Sequence, residues 1–291
     1  IITGSSGYSA VVISRGSSAN IVSNTIQSAY NGISVQDSSH AILKYNTLNN
    51  NSKNGLYVSN NASVILAEGN TFSNNTVFGI QMHNGGNLNM WCDEQLTSPT
   101  TISGNTGGTI QFGHGVSAKL CNLTLSSPTG GIDVGRGAAL YMSNITITNS
   151  QKKGLGLWGA TAIIDNATIT GSTEEGIKIS NGGMLEISNS TISGSSKQGI
   201  QANMGATLDM NYVSITNNQN DGVALWGAKA YIGNSTITGN TNAGIRLNNG
   251  FLSINNSTIS GSTNGGIESH QQSAINLSGG VIIENNGHGI D

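Results

Sequence analysis

The sequence predicts an all-β fold, a single-stranded right-handed parallel β-helix of about 12–13 rungs with 22–23 residues per rung. Three observations carry this reading. A hydrophobic residue following Gly or another small residue recurs at Val11, Ile33, Leu56, Ile80, Ile110, Ile132, Leu155, Ile177, Ile200, Val223, Ile245, Ile267 and Ile290, in steps of 22, 23, 24, 30, 22, 23, 22, 23, 23, 22, 22 and 23 residues. The residue two beyond each anchor is apolar from Ile13 to Leu247, with Ser269 the one exception, as a strand with alternating faces requires. Each period also holds three short alternating segments bounded by Gly, Asn and Ser. That leaves no helical return for a leucine-rich repeat, and the right hand follows from the bias of parallel crossovers.

Residues 175–200 show one whole rung: Gly176-Ile177, a Gly-rich turn, Leu185-Glu186-Ile187, then Ser190-Thr191-Ile192, then Gly199-Ile200. Between the anchor and its inward partner stand, in most rungs, Ser34, Tyr57, Gln81, Gln111, Asp133, Gly156, Lys178, Gln201 and Arg246, so that outer column is expected to be wet. Before the third strand, Asn122, Asn144, Asn166, Asn189, Asn234 and Asn256 sit three residues ahead of an apolar residue, with Tyr212 breaking the column. Stacked amides of this kind are expected to form an Asn ladder along the coil. Several also read as N-x-[ST] glycosylation acceptors. From Leu155 a longer period appears: LGLWGATAIIDNATITGS returns as VALWGAKAYIGNSTITGN, so about 155–222 and 223–290 form a tandem three-rung duplication. Rungs that touch only their neighbours accept such a copy readily. The step of 30 places an inserted loop at about 89–99, and residues 1–291 are otherwise expected to form one domain, open at both ends. Open parallel edges make end-to-end self-association an expectation as well.

Composition narrows the function classes. Charged residues are 9% of the chain, Gly numbers 41 and Pro two, and the net charge is −3. No basic footprint for nucleic acid exists, and no apolar run reaches the length of a membrane span. An Asn/Ser/Thr-rich, weakly charged surface suits an extracellular or cell-surface location after export.

The segments N-[ST]-T-I-[TS]-G followed by x-G-I, as in Asn189-Ser190-Thr191-Ile192-Ser193-Gly194 and Gly199-Ile200, resemble the pectin-lyase-like right-handed β-helix repeats, including those of carbohydrate-binding and sugar-hydrolase proteins. The resemblance covers nearly the whole chain and implies the fold. It does not select an activity, since lyases, hydrolases, epimerases, tailspikes, adhesins and stalks share the repeat. Polygalacturonase-like hydrolases carry N-T-D, D-D, G-H-G and R-I-K; this chain has Gly113-His114-Gly115 and Gly287-His288-Gly289 but none of the others. The acids are scattered along the sequence, with no facing carboxylate pair of the kind glycoside hydrolysis uses and no stack of acids to hold calcium. The reading is therefore an extracellular structural or adhesive β-solenoid, a fibre subunit or surface stalk with glycan as a partner. The alternative is a polysaccharide-active lyase or hydrolase, or its carbohydrate-binding module.

Candidate glycan contacts cluster beside the insertion: Gln81 and His83, then Gln111 and His114, then Asp133 and Arg136, with Trp91 as a stacking plane. Trp158 and Trp226, three rungs apart, are a second pair. Cys92 and Cys121 fall twelve and eleven residues after their anchors on adjacent rungs, within the reach a disulfide needs. No His or Cys pair has metal-ligand spacing, and no cofactor is expected. Thr146 and Thr148, Thr168 and Thr170, and Thr236 and Thr238 flank the third-strand apolar residue as in ice-binding solenoids, a minor alternative.

Overall fold

The computed structural model describes residues 1–92, 98–126 and 129–291. Among these there are 35 strands and no helix. The chain divides into two compact units, Ile1–Thr146 and Ile147–Asp291. Each is a stack of parallel coils, and every coil crosses three faces in the same order.

The anchor face carries the x-G-I strands. In the first unit these are Val11–Ile13, Asn31–Val35, Asn54–Val58, Phe78–Met82, Gly108–Phe112 and Ile132–Val134. In the second they begin with Leu155–Trp158, Ile177–Ser180 and Ile200–Asn203 and end with His288–Ile290. Val11 pairs with Ile33, Ile33 with Leu56, Leu56 with Ile80, Ile80 with Ile110 and Ile110 with Ile132. In the second unit Leu155 pairs with Ile177, and the sequence anchors continue in register to Ile290. The pairing absorbs the 30-residue step, because the extra residues lie between the strands Asn87–Met90 and Thr101–Ser103. Part of that insertion, 93–97, lies outside the described residues.

The glycine before most anchors follows from close approach. A Cβ on Gly199 would lie 2.6 Å from Ile215 Cγ2 and 2.8 Å from the carbonyl oxygen of Gly222 in the next coil. Backbone cannot yield there, so only hydrogen fits. From Ile33 to Leu247 each anchor and the residue two beyond it are buried, and inward apolar residues of the other two faces join them, Leu185, Ile187 and Ile192 among them.

The predicted Asn column has a different cause from the one expected. Asn122, Asn144, Asn166, Asn189, Asn234 and Asn256 have φ between 44° and 55°, and Tyr212 in the same column has φ 55°. This is the left-handed region, which Asn tolerates better than other side chains. These amides face outward and do not form one ladder: Asn144 donates to Asn122 at 3.0 Å, Asn189 to Asp165 at 2.7 Å and Asn234 to Asn211 at 2.9 Å. The buried amide ladders lie elsewhere. Five residues ahead of the anchors, Asn51 Nδ2 donates to Asn75 Oδ1 and Asn75 Nδ2 to Asn105 Oδ1, each at 2.9 Å. In the second unit Asn218 donates to Asn240 at 3.0 Å.

Candidate polysaccharide-binding face

The outer anchor face is not the wet surface its polar residues predict. Ser34 is fully buried and Gln81 is 9% exposed, as is Glu268. Residues two positions before several anchors, Asn31, Asn54, Glu175 and Asp221 among them, bring side chains over the strand, and the two columns pair with each other.

In the first unit the pairing is by amides. Asn54 Nδ2 donates to Asn31 Oδ1 at 3.0 Å and to Gln81 Oε1 at 2.9 Å, and Gln81 Nε2 donates to Gln111 Oε1 at 2.7 Å. Gln111 stands beside Asp133 in register. His83 packs against Tyr57 with ring centroids 6.2 Å apart. Lys53 Nζ lies 4.9 Å from the Tyr30 ring centroid and 6.0 Å from that of Tyr57. Burial, reinforced by the charges of Lys53 and His114, pushes the His83 imidazole below its ordinary value. His114 and Arg136 are exposed. Trp91 is not part of this group. It leaves the second face, 44% exposed, with Lys44 Nζ 6.0 Å from its centroid. There Lys44 meets Glu68 at 2.9 Å and Tyr45 donates to Glu68 at 2.5 Å. The Tyr45 and Lys44 hydrogen bonds hold Glu68 below the usual carboxylate range. Cys92 and Cys121 are joined by a disulfide with Cα atoms 5.5 Å apart.

The second unit carries charge on the same face, and here the sequence reading needs correction, because the scattered acids converge. Asp221, 1% exposed, accepts from Arg246 Nε at 3.1 Å, Asn242 Nδ2 at 2.8 Å, Gln198 Nε2 at 3.4 Å and the Ala243 amide at 3.2 Å. A carboxylate taken this far out of water requires such pairing. Arg246 then bridges forward, its Nη2 2.7 Å from Glu268 Oε2, and His270 Nε2 lies 3.7 Å from the same oxygen. Nearer the start of the unit, Glu175 is 3% exposed and meets Lys178 at 3.2 Å and Lys197 at 4.0 Å. Lys178, Gln201, Ala224, Arg246 and Glu268 are consecutive partners in the β ladder. Trp226, 40% exposed, Asn248 and His270 form the parallel column along one edge. Trp158 is instead covered by Lys153, 5.2 Å from its centroid.

Arg246 spends two N–H groups on Asp221 and Glu268, and the guanidinium carries five in a planar fork. The others are available to a sugar hydroxyl or carboxylate. Glu268 and His270 supply acceptors and a donor beside it, and Trp226 a flat apolar edge. Sequence reasoning missed Asp221, Glu268 and Glu175. The signal was present: two residues before six of the thirteen anchors stand Asn31, Asn54, Lys153, Glu175, Gln198 and Asp221. No group of His, Cys, Asp and Glu among the described residues has the arrangement to hold a metal ion.

Comparison with solved structures finds chains of similar fold. The A-module of the Azotobacter vinelandii mannuronan C-5 epimerase AlgE6 matches with a TM-score of 0.63 at 10% identity, over 94% of this chain and 89% of that one. The periplasmic alginate epimerase AlgG matches with a TM-score of 0.45 at 12% identity, over 96% of this chain and 76% of that one. The catalytic unit of the GH87 α-1,3-glucanase of Streptomyces thermodiastaticus matches with a TM-score of 0.38 at 12% identity, over 96% of this chain and 62% of that one. No curated protein matches the sequence. At these identities the likeness shows fold alone. The model of the right handed beta helix region matches residues 9–162, 88–241 and 153–291, and with nearly every coil so covered, the chain belongs to the right-handed parallel β-helix family.

Proposed function

We propose that this chain is an exported β-helix that binds polysaccharide along the outer anchor face of its second unit, in a structural or adhesive role. The observation that carries the proposal is the paired run Asp221–Arg246–Glu268–His270 flanked by the exposed Trp226. It is a pre-ordered polar row with an aromatic edge, the combination a sugar ring with hydroxyls on its rim and an apolar face requires. The fold likeness to an epimerase that acts on mannuronan supports the ligand class. The Cys92–Cys121 disulfide supports an oxidising compartment and therefore export.

The test is a glycan array with the intact chain, followed by titration of the polysaccharide it retains. Trp226→Ala and Glu268→Gln are each expected to weaken binding about three- to tenfold, the range of an exposed stacking or charge contact. An array without a retained polysaccharide, or binding that both variants leave unchanged, overturns the proposal. A catalytic reading of the same row is favoured by one contact, the His270 imidazole beside the Glu268 carboxylate. It predicts that the retained polysaccharide is shortened or chemically altered on incubation, and that Glu268→Gln stops this. End-to-end self-association completes the structural role; electron microscopy showing only single particles at high concentration would remove that part.

A further inference from the structure

The second unit has another groove on a different face. Behind the anchor strands run Met184–Ser188, Thr207–Asn211, Lys229–Gly233 and Phe251–Asn255. Their outward residues line a shallow groove of about 610 Å³. Its floor is two columns in register, Glu186, Asp209, Tyr231 and Ser253 in one and Ser188, Asn211, Gly233 and Asn255 in the other.

Three features of this groove point to one ligand chemistry. Glu186 and Asp209 are direct ladder partners and both exposed. Neither has an ion-pair partner among the described residues. Like charges side by side on adjacent strands, about 4.8 Å apart at Cα, repel each other, and a cation placed between them relieves that repulsion. Tyr231, 44% exposed, is steadied by Phe251 with ring centroids 5.8 Å apart and so offers a fixed flat face. Gly233 leaves a notch between two amides: a Cβ there would lie 3.3 Å from Asn211 Oδ1 and 3.4 Å from Asn255 Oδ1. Asn211 is itself oriented by the Asn234 side chain, which donates to its Oδ1 at 2.9 Å.

We propose that this groove binds a polysaccharide carrying free amino groups, of the glucosamine type. The ammonium group lies against Glu186 and Asp209, the apolar face of a sugar ring stacks on Tyr231, and its hydroxyls meet Asn211 and Asn255 across the Gly233 notch. A metal ion is disfavoured because no third acid or His among the described residues joins the pair. An extended peptide is disfavoured because these strands are hydrogen-bonded to neighbours along both sides, leaving no edge within the groove for strand addition. The site is separate from the anchor face, so either proposal stands without the other.

The experiment titrates the intact chain with glucosamine oligomers, their N-acetylated counterparts, oligogalacturonate and calcium chloride, following Tyr fluorescence and heat. Glucosamine oligomers are expected to bind, with affinity falling as salt rises, and the N-acetylated and acidic oligomers to bind at least about tenfold more weakly. The isosteric double variant Glu186→Gln/Asp209→Asn is expected to lose about tenfold in affinity. The same variant is expected to melt no lower than the parent, since it removes a repulsion. Tyr231→Ala is expected to cost about three- to tenfold. Tyr8→Ala, at an exposed ring of the first unit, is expected to leave glucosamine binding unchanged. Absent binding, equal binding of the N-acetylated oligomers, saturable calcium binding without glucosamine binding, or an unchanged affinity in the double variant each overturns the proposal.

Discussion

The buried amides five residues ahead of the anchors make the sharpest stability prediction, and Asn218 is the place to test it. Its Oδ1 accepts the Ser195 backbone N–H at 2.9 Å, and its Nδ2 donates to Asn240 Oδ1 at 3.0 Å. Both residues are fully buried. In Asn218→Ala the Ser195 N–H loses its acceptor with no water to replace it, which costs about 1–3 kcal/mol. Asn240 Oδ1 keeps one donor, the Asn218 backbone N–H at 3.1 Å, so its loss is about 0.5–1.5 kcal/mol, the net value of one hydrogen bond. The sum, roughly 1.5–4.5 kcal/mol, corresponds to a melting shift of about 5–15 °C for a unit of this size. The reverse change is available one coil earlier. The Ser195 hydroxyl has no hydrogen-bond partner, and Gly176 beside it leaves the same room that Gly199 leaves beside Asn218. Ser195→Asn therefore adds a rung to the ladder and is expected to raise stability by about 1 kcal/mol. Equilibrium urea unfolding with amide hydrogen exchange at residue 195 measures both, exchange being needed because stacked coils need not unfold in one step. A loss below about 0.5 kcal/mol in Asn218→Ala, with protection at residue 195 unchanged, would refute the ladder as a source of stability.

Gly199→Ala meets backbone and the Ile215 methyl and is expected to cost at least about 2–3 kcal/mol, whereas Gly289→Ala, with nothing within 4 Å of the added Cβ, is expected to stay within about 0.5 kcal/mol of the parent; thermal unfolding of the two separates close approach from glycine content. Reducing the Cys92–Cys121 disulfide frees a loop with a sequence separation of 29 and is expected to lower stability by about 3–4 kcal/mol; unfolding curves with and without reductant measure it. His83, whose imidazole is held below its ordinary value by burial, stays neutral in the folded chain at pH values where the unfolded chain already protonates. Its contribution is complete above the ordinary value of 6.5 and is lost as pH falls from there through the folded value. His83→Gln should flatten that part of the stability profile, and a histidine NMR titration with a midpoint at or above 6.5 would contradict the burial argument.

The fold was legible because one geometric demand repeats. Gly precedes most anchors, where carbonyl and Ile methyl close in, and the apolar residues two apart must share a face, so the anchors mark the register directly, even across the 30-residue step. The Asn column was legible as spacing but not as cause: a left-handed turn selects Asn there, and Tyr212 takes the same φ, which an amide ladder alone would not require. Burial of the outer anchor face was not legible from strand alternation, because it depends on how far turn side chains such as Asp221 and Glu175 reach back over the strand. For the same reason acids that look scattered along the chain meet around Arg246. Trp91 was misplaced because an inserted loop does not announce which face it leaves from.

The similarity of 155–172 to 223–240 allows the anchor-face proposal to be tested against the matching earlier coils. Inward positions repeat with little change: Leu155 and Val223, Leu157 and Leu225, Ile177 and Ile245, Ile200 and Ile267. At the outward positions Lys153 becomes Asp221, Lys178 becomes Arg246, Gln201 becomes Glu268 and Asn203 becomes His270. A copy that served only to lengthen the stack would have no physical reason to differ most where the side chains pair across the outer face. Replacing the row by uncharged residues, as Asp221→Asn/Arg246→Gln/Glu268→Gln/His270→Asn, the last two being the earlier coils' residues, keeps every core residue and removes both buried acids together with the guanidinium that bridges them. Removing all partners of a buried ionic group at once is often near neutral for stability, unlike removing one. The substituted chain is therefore expected to unfold within about 1–2 kcal/mol of the parent and to lose polysaccharide binding at least about tenfold. Retained binding with an unchanged melting temperature would show that the later copy lengthens the stack and does nothing more.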